Sequence, residues 1–184
     1  MPRKSTAQTA SYLKDAVFSA NDGIITTFAV VAGAQGAGIG SKIVIILGLA
    51  NLLADGLSMA SGNYLGTKSE SEFKETRYKL KGTKSAKQDR ATKRNTLALK
   101  HSLSVLLSFI TFGFIPLAPY LFKLPNTFFL SIIFVAFSLF LLGVIRSKFT
   151  KGNIFKTGME TLIIGGAAAV IAFSIGVLVE PLVS

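Results

Sequence analysis

The chain has 184 residues, half of them hydrophobic and only 16% charged, against roughly 25% charged in soluble domains. That balance, with a mean hydropathy of +0.54, excludes an ordinary soluble enzyme and leaves no room for a separate soluble domain of typical size. The net charge of +11 would suggest nucleic acid in a soluble protein, and the absence of cysteine removes disulfides, iron–sulfur clusters and thiolate zinc sites.

The first 14 residues, MPRKSTAQTASYLK, are polar and basic and do not read as a cleavable signal peptide. A bilayer core of about 30 Å needs roughly 20 apolar residues per helix. The first such run is Ala16–Gly38, with Asp22 inside it, and the second is Lys42–Gly66, with Asn51, Asp55 and Met59 inside it. The segment from Thr67 to Lys100 is polar and basic. Nothing from Lys68 to Lys81 strongly breaks a helix, so the second span is expected to continue outward as a polar helix, with Gly82 as its stop. The third run is Leu97–Phe122, where Gly113, Pro116 and Pro119 predict a kink or an early end. The fourth is the unbroken Thr127–Ile145, and the fifth is Gly158–Val179.

The fold expected is all-α: one polytopic transmembrane domain over residues 1–184 with five transmembrane helices. The 20 Lys and Arg residues alternate strictly between connections. Arg3, Lys4 and Lys14 precede the first span, Lys42 alone stands in the first hairpin, and eleven fall between Thr67 and Lys100. Lys123 alone stands in the next turn, Arg146, Lys148, Lys151 and Lys156 lie before the fifth span, and none follows it. The positive-inside rule then makes the N-terminus cytoplasmic and the C-terminus exposed on the far side. The basic connections are expected to meet anionic lipid headgroups. Nucleic acid is not an expected partner, since no stacking platform accompanies the charge.

An ionised carboxylate at mid-bilayer costs about 2.5–3.5 kcal/mol on insertion scales, so Asp22 and Asp55 point to ion or proton handling. Asp15 and Asp22 are seven residues apart on one helical face. Asn51, Asp55 and Met59 step by four along another. If the first two helices are neighbours, Asp22 and Met59 both lie about 10 Å below the cytoplasmic end. Carboxylates supply charge, and a thioether favours a transition metal over Mg²⁺ or Ca²⁺. The plainer alternatives are that Met59 only packs and that each Asp bonds a neighbouring helix. His101, the only histidine, reads as an interfacial residue. Glu160 either serves the path or complements a helix N-terminus. Small residues at Ala29, Gly33 and Ala37, and at Gly158, Gly165, Gly166 and Ala167–Ala169, suit close helix contacts within or between chains. No catalytic triad, P-loop or zinc-protease motif is present, so the chain is not expected to be an enzyme.

Leu13-Lys-Asp15-Ala-Val-Phe-Ser-Ala-Asn-Asp22-Gly23-Ile-Ile-Thr-Thr-Phe28 resembles the first helix of the vacuolar iron transporter family. Gly48-Leu-Ala-Asn51-Leu-Leu-Ala-Asp55-Gly56-Leu-Ser-Met59-Ala-Ser-Gly62-Asn-Tyr64-Leu resembles the second. The resemblance implies a five-helix protomer that forms a homodimer. It implies export of Fe²⁺, and of Mn²⁺ or related ions, from the cytosol against protons, the metal being cargo and no cofactor being needed. Metal binding is implied at Asp22 and Met59, with Asp55 and Asn51 deeper in the path and an acidic Asp15 at its entrance. The chain departs from the family in two places. Asn51 stands where family members carry Glu. The glutamate-rich cytosolic domain of eukaryotic members is replaced by the short basic segment, in which only Glu70, Glu72 and Glu75 remain to recruit metal. This short form suits a prokaryotic plasma membrane, or a vacuolar membrane if the source is eukaryotic. Two other functions fit the residues: a membrane scaffold that binds lipid through its basic segment, and a proton-coupled carrier of another small solute.

Overall fold

The computed structural model describes residues 3–80, 87–150 and 152–183. All the regular elements among them are helical: α1 (Arg3–Gly36), α2 (Ser41–Leu80), α3 (Lys87–Gly113), α4 (Ala118–Leu121), α5 (Thr127–Thr150) and α6 (Ile154–Val183). Five of these helices are long and apolar enough to cross a membrane, over Tyr12–Gly36, Ser41–Phe73, Asn95–Leu121, Thr127–Lys148 and Ile154–Leu182. The chain is an integral membrane protein.

The punctuation follows the local chemistry. α1 ends in a Schellman turn, in which the Ile39 N–H donates to the Ala34 carbonyl (2.9 Å) and the Gly38 N–H to that of Gln35 (3.1 Å). Gly38 takes φ +65°, where a side chain would be strained. α2 runs on past the apolar stretch to Leu80, as the unbroken polar sequence leads one to expect, while Gly82 lies outside the described residues. α3 stops at Gly113, and the two prolines that follow start a short 3₁₀ turn (Ile115–Leu117) and then α4. Asn153 caps α6, its Oδ1 accepting from the Lys156 N–H at 3.1 Å. α6 therefore begins a turn before the expected Gly158.

α1 is the axis of the bundle, in contact with α2, α3, α5 and α6. α3 packs extensively on both α1 and α2, whereas α6 packs on α1 and α5. Lipid tails are as apolar as leucine, so helices in a bilayer associate through close packing more than through the hydrophobic effect. Two seams show this. Gly23 of α1 lies against α3, where an added Cβ would come within 2.5 Å of the Phe109 carbonyl oxygen. Gly33 and Gly36 of α1 lie against the backbone of α6 at Ala172, Phe173 and Gly176. Gly33 thus serves contact within the chain. The buried positions of α6 are small or hydroxylated: Thr157, Gly158, Thr161, Gly165 and Gly176. Ile24, Val31, Leu52, Phe109 and Leu117 fill the centre, each at most 1% exposed.

Candidate metal path

Two Asp-Gly pairs, Asp22-Gly23 on α1 and Asp55-Gly56 on α2, are arranged around one side chain of α3. Phe109 is fully buried. Its backbone is what a Cβ on Gly23 would strike, and its ring is what a Cβ on Gly56 would meet at 3.2 Å. The two glycines let α1 and α2 close on α3, and each presents the aspartate that precedes it. Asp22 and Asp55 thus each stand one residue from a glycine packed on Phe109. Both side chains are only part-buried, as is that of Asn51 one turn beyond Asp55. Among the described residues, neither aspartate forms an ion pair.

Toward the N-terminal end of α1, a cleft of about 210 Å³ opens between α1, α2 and α3. Asp15 and Ser19 line it from α1, Met59 and Asn63 from α2, and Val105 from α3. Met59 therefore shares a space with Asp15, and Asp22 is not among the residues lining it. Asp15 Oδ2 is held at 2.7 Å by Nδ1 of His101, whose ring stacks on Tyr12 with centroids 3.8 Å apart. His101 is 5% exposed, which corrects its reading as an interfacial residue. α1 and α3 bring Tyr12, Asp15 and His101 together over 86 residues of sequence. Ser108 adds a second tie between these helices, donating to the Ala16 carbonyl at 2.7 Å.

The hydroxyls of Ser19 and Thr26 donate back to the Asp15 and Asp22 carbonyls, at 2.7 and 2.8 Å. Such bonds hold the hydroxyls against their own helix. Asn21 Oδ1, Thr27 Oγ1 and Asn63 Oδ1 are buried without a hydrogen-bond partner among the described residues. Native proteins seldom leave such atoms unmatched without a reason. Glu70 and Glu72 stand exposed on the outward continuation of α2, and the Glu75 side chain lies outside the described residues. Among the described residues, no three His, Cys, Asp or Glu side chains converge as a metal cage. Glu160 of α6 pairs with Arg146 of α5 at 3.2 Å, on the helix pair that lies away from α2 and α3.

Comparison with known proteins decides the family. The model of the VIT family matches residues 13–98 and 82–177. The chain belongs to the VIT family. Relatives include a protein named vacuolar iron transporter from Toxoplasma gondii, 24% identical over 95% of this chain and 76% of its own length. Vacuolar iron transporter 1 of Arabidopsis thaliana is 24% identical over 91% and 86%, and a vacuolar iron transporter of Plasmodium berghei is 26% identical over 92% and 82%. The alignment with the Toxoplasma protein extends over 231 residues, more than this chain contains, so that relative carries segments absent here. The two family matches overlap at residues 82–98, which run from the polar segment into the start of the third span. The VIT family is thus the one that the Asp-Gly motifs of α1 and α2 resemble.

Proposed function

We propose that this protein moves a divalent transition-metal ion, Fe²⁺ or Mn²⁺, out of the cytosol in exchange for protons, and that it does so as a homodimer. One observation carries the proposal: Asp22 and Asp55, on two different spans, each precede a glycine that packs on the same residue of α3, Phe109. Two like charges in low-dielectric surroundings favour a cation between them or a shared proton. A pair that alternates between those two states couples metal movement to proton movement. Met59 adds a thioether, which inclines the path toward transition metals over Mg²⁺ or Ca²⁺. Asn51 offers a neutral oxygen beyond Asp55 and Asp15 a carboxylate before Asp22. The names of the relatives, vacuolar iron transporters, support iron as cargo.

The part-buried state of Asp22, Asn51 and Asp55 in a single chain supports the dimer. Polar groups of this kind do not face lipid tails without a large penalty. A second copy set against them would enclose them and supply further donors.

The test is Fe²⁺ flux into proteoliposomes under imposed pH gradients of either direction, for wild type and Asp22→Asn. Flux that follows the gradient and vanishes in the variant is expected. If neither Fe²⁺ nor Mn²⁺ moves under any gradient, the proposal is wrong. Met59→Leu separates a metal carrier from a carrier of another solute, because only the former loses its preference for Fe²⁺ over Mg²⁺.

A further inference from the structure

We infer that the slot between α5 and α6, backed by α1, is a binding site for one acyl chain of a phospholipid, drawn from the leaflet that surrounds the N-terminal end of α5. The inference is independent of the transport proposal and concerns the side of the bundle away from α2 and α3.

Three observations carry it. The first is where the slot opens. It holds about 580 Å³ and no polar side chain lines it. Val135 and Leu139 are buried at its floor, while Ile163 and Val170 stand on its rim, 64% and 66% exposed. The rim lies on the outer surface of two membrane spans, so the medium at the opening is lipid. The second is its depth. The slot runs from Phe128 to Leu139 on α5 and from Phe173 to Leu162 on α6, eleven residue steps on each helix. At 1.5 Å per residue that is about 16 Å, close to half of a bilayer core of about 30 Å. It starts at the second residue of α5. Past Leu139 the two helices close, and a Cβ on Gly143 would strike the Thr157 carbonyl oxygen at 2.5 Å and Thr161 Oγ1 at 2.9 Å. The slot is therefore one leaflet deep and blind at its inner end. A spanning helix of a second copy would not follow a slot that stops half-way, whereas a chain from one leaflet ends where the slot ends. The third is Gly166. On α6, a Cβ on Gly158, Gly165 or Gly176 would come within 2.6 Å of an atom of α1 or α5, but one on Gly166 would meet nothing within 4 Å. No contact within the chain uses the missing side chain of Gly166, and the space it leaves is part of the slot.

A chain that leaves bulk lipid for the slot gains no hydrophobic energy, since both surroundings are apolar. The gain is in dispersion, because walls that face empty space lose their contacts outright. Those walls have a fixed shape: Phe28, Phe128 and Phe173, one from each helix, stack in a row with centroids 6.3 and 6.0 Å apart. A phospholipid seated this way has its phosphate level with the turn that leads into α5. Lys123 is exposed in that turn and is the one basic residue between the end of α3 and the start of α5, where it can meet the phosphate.

The experiment uses full-length protein in mild detergent, with phosphatidylglycerol as the added probe and native mass spectrometry to count the lipid kept by each protomer. Wild type is expected to hold one phospholipid per protomer through washes that strip the rest. Gly166→Phe, whose ring enters the slot, should lose it. Ile171→Phe, on the same helix at a position 61% exposed and outside the slot, should keep it. Added phosphatidylglycerol should raise the Tm of wild type and of Ile171→Phe and leave that of Gly166→Phe unmoved. If Gly166→Phe does not fold, the smaller Gly166→Leu replaces it, with a partial loss of bound lipid expected. A wild type that keeps no phospholipid, or equal retention in wild type and the Gly166 variant, overturns the site. A Gly166 variant that turns a dimer into a monomer shows that a second copy covers the slot, which overturns it as well. None of these readouts uses metal or flux, so failure here leaves the transport proposal standing, and failure of the flux assay leaves the lipid site to be decided by the mass spectrum.

Discussion

Two cavities in one bundle differ in what surrounds them. The cleft among α1, α2 and α3 is about 210 Å³ and has a carboxylate, a thioether and an amide in its wall. The cavity among α1, α5 and α6 is about 580 Å³, and its wall is apolar throughout, with Phe28, Val135, Leu139, Leu162 and Phe173 among its residues. The larger space has nothing with which to replace the waters of a cation, and an ion there would bear its full desolvation penalty. Under the proposed transport, the path is therefore marked by the donors that two Asp-Gly turns of helix bring to α3 and not by the size of a cavity. α5 and α6 are also the most hydrophobic of the five spans, consistent with a half that braces α1 from behind.

The sharpest way to break this division is to damage each half separately. Asp22→Asn should abolish metal flux and leave the melting temperature close to that of wild type, since the change removes a charge and keeps the shape. Leu139→Ala should do the reverse. Leu139 is 1% exposed, and its methyl groups face Gly165, so truncation should cost about 2–4 kcal/mol of stability through the void it leaves. The KM for metal of the protein that remains folded should not move. Thermal unfolding in nanodiscs, run beside the flux assay, reads both. A changed KM in Leu139→Ala would show that the two halves are coupled.

A smaller effect is expected where the halves meet in one residue. Gly23 follows Asp22 and is packed on the backbone of α3. Gly23→Ala should force α1 and α3 apart, cost about 1–3 kcal/mol as overpacking does, and also reduce flux by displacing Asp22 from Asp55. Gly176→Ala, at the seam of α1 and α6, should destabilise to a similar degree with flux per folded molecule retained. Equal losses of flux in the two variants would contradict a path confined to the α1–α2–α3 side.

The span count, the prolines that end α3 and the outward run of α2 could all be read from the sequence, because each depends on local hydropathy or on one residue's backbone. Asp22, Asp55 and Met59 stood out for the same reason: polar or soft groups in apolar surroundings are visible without a fold. What lay beyond reach was the part played by α3. Nothing near Phe109 or His101 in sequence announces that one wedges between two Asp-Gly pairs and the other grips Asp15. His101 sits in a polar-flanked helix start, where an interfacial reading is natural, and only the packing of α3 on α1 buries it. The pairing of Met59 with Asp15 across the cleft likewise depends on the relative register of α1 and α2, which helical periodicity within each helix does not contain. Asn63 carried no sequence signal. Its unpartnered oxygen is a property of the packed bundle.

The smallest effect concerns Glu160, the one acidic residue near the start of α6 in the sequence. From sequence alone it reads as a complement to the helix N-terminus ahead of a member of the path. Its pairing with Arg146 at 3.2 Å, with both side chains well exposed at 51% and 43%, places it with the bracing half. Exposed pairs of this kind contribute about 0–1 kcal/mol and are screened by salt. Glu160→Gln should accordingly shift stability by no more than about 1 kcal/mol and leave both the KM and kcat of metal flux as they are. Raising the salt concentration should erase even the stability difference. A loss of flux in Glu160→Gln that survives high salt would mean that α6 supplies a carboxylate to the ion, and the division between a conducting half and a bracing half would then have to be redrawn through α1.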